Sequence, residues 1–150
     1  MTSVEITGTP VPRFSRRDIG AFTRSVLLAL ERLGLLTYEI SEVSIAIVED
    51  EAMKTLNRTF RKKNKTTDVL TFPADDSYAD PNAKGRPLGD IVISLDQARR
   101  QAISEKHALA IEVRYLIVHG IVHALGYDHE ADHGEMNALE MKVRAGVGRE

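Results

Sequence analysis

The chain has 150 residues, 43% apolar and 28% charged, with 20 basic and 22 acidic side chains and a formal charge of −2. This composition predicts one folded domain spanning residues 1–150, and it excludes dominant disorder and a polycation that coats nucleic acid; no run of about 18 apolar residues escapes charge, which excludes a membrane-spanning helix. There are no cysteines, so disulfides, thiol nucleophiles and thiolate ligands are excluded and any metal must take nitrogen or oxygen donors.

Weak alternation from Ser3 to Thr7 predicts an edge strand. Arg13, Arg16 and Arg17 are not followed by a clean apolar stretch, because Glu31 and Arg32 interrupt the next one. No secretory leader is expected, and a cytoplasmic location is the default. Ser15-Arg-Arg-Asp18 resembles a capping box, and Ile19, Phe22, Val26, Leu27, Leu30 and Leu33 then recur at helical spacing up to Gly34. Val43 to Val48 reads as a strand and Asp50 to Phe60 as a helix with Met53, Leu56 and Phe60 on one side. Asp68 to Phe72 is a short strand ended by Pro73, and Asp75 to Pro87 has the composition of a loop. Gly89 to Ser94 is a third clear strand, followed by a polar-faced helix from Leu95 to Lys106. His107 to Leu125 is a helix apolar on most sides, as buried helices are, and Gly126 stops it. A last amphipathic helix runs from about Gly134 to Val143.

Four of the five histidines lie between His119 and His133. His119 and His123 stand four apart on the apolar helix, so their imidazoles project from one face. Gly126 permits a sharp turn after the helix, from which His129 can swing back toward them. Three converging neutral imidazoles leave a fourth tetrahedral position for water, the arrangement of a catalytic rather than a structural zinc site. Buried imidazoles are costly unless each nitrogen finds a partner, which favours metal binding over chance spacing. Asp128 is read either as an orienting carboxylate or as a turn residue, Tyr115 as core packing and His133 as a surface residue.

The spacing of His119, His123, Gly126 and His129 is that of the third-histidine metalloproteases, but Gly120 stands where those enzymes carry a glutamate base. Peptide hydrolysis by that route is therefore disfavoured. A second feature points to phosphate: Arg58, Arg61, Lys62, Lys63 and Lys65 put five positive charges in eight residues. A generic run of this kind is a solvated turn, but such patches also bind phosphodiester backbones. One of its arginines could stabilise charge on a phosphorane-like transition state.

The segment His119-Gly-Ile-Val-His-Ala-Leu-Gly-Tyr-Asp-His129 resembles the signature of the YbeY family of bacterial ribosomal-RNA-maturation endoribonucleases. Leu56 to Pro73 and Leu88 to Ser94 are similar to two further blocks of that family, and Glu135 to Glu140 to its closing helix. The resemblance covers about Val43 to Val143 in order; Thr66, Thr71 and Ala124 depart from it, at none of the candidate ligands. It implies an α+β fold with one four-stranded mixed sheet and helices packed around it. It implies one metal ion per chain, usually zinc with other divalent transition metals possible, held by His119, His123 and His129. It implies a catalytically important arginine at Arg61. The implied activity is metal-dependent cleavage of single-stranded RNA, including small-subunit ribosomal RNA, and ribosome quality control; the small ribosomal subunit is the implied partner, with no membrane or DNA partner. Two other readings stay open: a metallopeptidase-like hydrolase, and a non-catalytic, metal-stabilised RNA- or ribosome-binding module.

Overall fold

The computed structural model describes residues 2–62, 67–74, 85–127 and 134–147. Its first strand, β1 (Ser3–Gly8), lies at one edge of a four-stranded sheet. Helix α1 (Arg16–Arg32) starts where expected: Ser15 has extended backbone and its hydroxyl accepts the Asp18 amide at 3.1 Å. That bond satisfies one of the helix's orphan donors, and the Asp18 carboxylate complements the positive end of the dipole. Past the C-terminus Gly34 takes φ +72°. There the Leu35 amide reaches back to the Leu30 carbonyl and the Gly34 amide to Glu31, a Schellman turn that glycine makes without strain.

Strand β2 (Ile40–Val48) runs parallel to β1 and to β4 (Arg86–Ser94), and β3 (Val69–Pro73) pairs antiparallel with β4, giving the order β1-β2-β4-β3. The sheet is therefore mixed, as expected for the α+β class. Both central strands start three residues earlier than local pattern suggests. The pairing of β2 with β4 shifts register around Glu42, and this irregularity admits Pro87, which lacks a ladder donor, into a strand. Arg86 and Pro87, expected in the loop, belong to β4; residues 75–84 of that loop lie outside the described residues.

Alternation gives the sheet two different faces. Val43, Ile45, Ile47, Ile91 and Ile93 point to the main core, which α1 and α4 (Leu109–Ala124) cover with residues such as Phe22, Val26, Leu30, Val113, Ile117 and Ile121. Leu70 and Val92, with Ala46, Val48 and Phe72, face the other way and carry α2 (Asp50–Arg61) through Met53 and Leu56. Helix α3 (Leu95–Glu105) follows β4 without a loop, because Ser94 ends the strand and caps the helix by accepting the Gln97 amide. Helix α5 (Glu135–Gly146) buries Met136 and Val143 in the main core and packs on α4. Among the described residues, no helix is long and apolar enough to cross a membrane.

Candidate metal centre and its flanking cleft

Helix α4 is placed by its contact with the sheet. Gly120 lies against β4 so closely that an ideal Cβ would stand 2.6 Å from Cγ2 of Ile91. The carbonyl of Gly120 also accepts the Thr71 hydroxyl of β3 at 3.4 Å. The glycine thus has a packing reason: the position after His119 faces the sheet, and a glutamate there would collide with it. His119 and His123 project as predicted, with ring centroids 6.3 Å apart and planes at 67°. The helix ends in a second Schellman turn at Gly126 (φ +107°), where the Tyr127 amide bonds the Val122 carbonyl. The third expected ligand, His129, lies outside the described residues, as do Asp128 and His133. Among the described residues, no three His, Cys, Asp or Glu side chains gather into a complete metal site.

The partner that pattern reading missed is Glu140. It is 4% exposed, and its carboxylate accepts a 3.1 Å hydrogen bond from Nδ1 of His119. A carboxylate on one ring nitrogen fixes the ring orientation and its tautomer, putting the lone pair on Nε2, which is how metal-ligating histidines are commonly held. The donor chemistry of His119 and His123 therefore fits a divalent transition metal. A sequence signal for Glu140 existed: Met136, Glu140 and Val143 share one face of α5, so the acid occupies an apolar stripe where a carboxylate needs a partner. The same bond raises the His119 pKa above its ordinary value of 6.5; burial opposes it, the charges of Glu140 and Asp68 add to it, and Arg144 works against it.

Beside His119 opens a cleft of about 350 Å³, lined by Asp68, His107, Glu112, Tyr115, Asn137 and Arg144 among others. Nε2 of His107 lies 2.7 Å from the buried Glu112 carboxylate. Tyr115 is half-buried rather than a core residue: its ring meets His107 edge-on at 5.5 Å, and the Arg144 guanidinium sits 3.8 Å from its centroid. The basic patch is at the C-terminal end of α2, where Arg58, Arg61 and Lys62 are exposed; Lys63 and Lys65 lie outside the described residues. Because α2 and α4 cover opposite faces of the sheet, Arg61 and His119 are not gathered on one face; the five-residue edge strand β3 runs between the two helices.

A mixed sheet with the order β1-β2-β4-β3, crossed by a buried helix that presents two histidines on one face, defines a single-domain protein of the α+β class. The family profile "Endoribonuclease YbeY" matches residues 11–148, and the chain belongs to that family. Proteins named endoribonuclease YbeY from Nitratiruptor sp. and Moorella thermoacetica are 44% and 46% identical over 116 residues each, covering 76% and 72% of this chain and 76% and 74% of theirs. That of Aquifex aeolicus is 50% identical over 103 residues, 69% of this chain and 64% of its own. A solution structure from Thermotoga maritima, 23% identical, superposes with a TM-score of 0.58 over 96% of this chain and 88% of that one, and shares the fold. The match thus extends into α1, beyond the region where the motifs alone carry the resemblance.

Proposed function

We propose that this protein is a metal-dependent, single-strand-specific endoribonuclease of the cytoplasm that acts in maturation of the small-subunit ribosomal RNA 3′ end and in ribosome quality control. The observation that carries the metal part is the buried Glu140 carboxylate on Nδ1 of His119, with His123 one turn further along the same helix face. Family membership supports the ribonuclease part, since the relatives are named endoribonucleases. His119, His123 and His129 would hold one ion, zinc in the first instance, which when bound supplies Lewis acidity toward a phosphoryl oxygen and a water molecule.

The chain's own residues do the rest. Glu140 keeps the His119 proton on Nδ1 and the ring in place. Arg61 offers a planar guanidinium, suited to two phosphate oxygens at once, to the scissile phosphate of a strand that passes round the β3 edge. Arg58 and Lys62 hold flanking phosphates. Position 120 supplies no general base, which removes the glutamate route of peptide hydrolysis. RNA brings a 2′-hydroxyl that can act as an internal nucleophile. A 2′,3′-cyclic phosphate product identifies that route, and a 5′-phosphate with a 3′-hydroxyl identifies attack by water.

The test is metal analysis of the purified protein beside cleavage of single-stranded RNA, duplex RNA and peptides, with and without chelator. Stoichiometric metal and chelator-sensitive cleavage of single-stranded RNA are expected. Tight RNA binding without turnover, indifferent to chelator, would replace the reading with that of a binding module.

A further inference from the structure

Phe60 is 63% exposed, although it continues the apolar side of α2 begun by Met53 and Leu56. An exposed apolar side chain standing alone is ordinary, but a phenyl ring set among exposed cations is a surface built for a partner that carries both an apolar face and negative charge. The ring meets the edge strand β3 at Phe72, edge to face, with centroids 5.3 Å apart and planes at 75°. Arg58, Arg61 and Lys62 surround it in sequence, all exposed, and residues 57–62 contain no acid. These cations stand at the negative end of the α2 dipole, so they sit there stably without an acidic partner in the same turn. A protein partner would need an apolar patch ringed by acids. A single nucleic-acid strand offers both requirements in its repeating unit, a phosphate for each cation and the face of an unpaired base for the ring. A duplex does not, because its bases are already stacked on one another.

We propose that Phe60 is a stacking platform for one unpaired nucleobase of the strand whose phosphates are held by Arg58, Arg61 and Lys62. The proposal rests on the ribonuclease reading and deepens it: the selectivity for single strands would reside in this ring.

The experiment measures the affinity of the full-length, metal-loaded protein for a short 2′-O-methyl RNA strand and for its duplex across a range of salt. Phe60→Ala should weaken single-strand binding by about 5- to 150-fold, the range given by base–aromatic stacking, leave duplex binding unchanged and leave the slope against salt unchanged. Phe60→Trp should restore affinity, whereas Phe60→Leu, which keeps an apolar contact with Phe72, should not. Arg58→Ala should instead reduce the salt slope by about one and weaken both ligands. Equal losses for single strand and duplex in Phe60→Ala, an unchanged affinity, or rescue by leucine would each overturn the platform while leaving the ribonuclease reading in place. A wild-type protein that ignores single-stranded RNA would overturn both.

Discussion

Alanine in place of Gly120 sets two opposed effects against each other in one residue. Gly120 has ordinary helical backbone, so a methyl group should stabilise the helix by about 1 kcal/mol. The same methyl would stand 2.6 Å from Cγ2 of Ile91 and 3.3 and 3.4 Å from its Cγ1 and Cδ1. Carbon atoms rest about 3.5–4.0 Å apart, so the closest pair overlaps by roughly 1 Å. Ile91 is fully buried in a central strand and β-branched, so Cγ2 has no rotamer into which to retreat. Helix α4 must lift off the sheet, and overpacking of this severity costs about 3 kcal/mol. The net effect is destabilisation by about 2 kcal/mol, or a fall in melting temperature of about 4–8 °C for a chain of this length. Urea and thermal unfolding in the presence of chelator measure it free of metal linkage. In an Ile91→Ala background the collision is gone, and Gly120→Ala should become stabilising. If Gly120→Ala raises the melting temperature in the wild-type background, the packing argument for the missing glutamate is wrong.

Three further outcomes are expected. Glu140→Gln should lower the His119 pKa and weaken metal binding about 10- to 100-fold, seen by NMR titration and by competition with a chromophoric chelator; unchanged affinity would remove Glu140 from the site. In the metal-free protein the raised His119 pKa contributes stability that is fully present below pH 6.5 and is lost as pH rises through the folded-state value, while metal binding, which needs the neutral ring, strengthens over the same window. Denaturation at a series of pH values, with and without metal, should show these opposite slopes, and Arg144→Met should move the window upward by removing the opposing charge. Finally, Arg61→Ala should keep its metal and lose RNA cleavage, whereas His123→Ala should lose both; full cleavage by Arg61→Ala would refute its role.

Local chemistry made much of this fold legible. The Ser15 cap, the turns at Gly34 and Gly126 and the pairing of His119 with His123 each depend on residues within one or two helical turns. What escaped depends on partners brought from elsewhere. The starts of β2 and β4 require each other across a register shift, so the pattern around Pro87 looked like loop. Glu140 acquires meaning only when α5 folds onto α4, 21 positions from His119. Gly120 could be noticed as an absent glutamate, but its cause is the Ile91 methyl on another element. The basic run was visible as charge; its placement across the sheet from α4 follows from topology, which a charge run does not encode.

The Glu140 carboxylate fastens the final helix of the described chain to the helix that bears the candidate ligands. On the proposed reading, an ion gripped by the His119 ring would also clamp that distant stretch of backbone, and stripping it would slacken the clamp. Helix α5 would then be a gauge of occupancy, its amide exchange and vulnerability to proteases falling when metal is added to the protein.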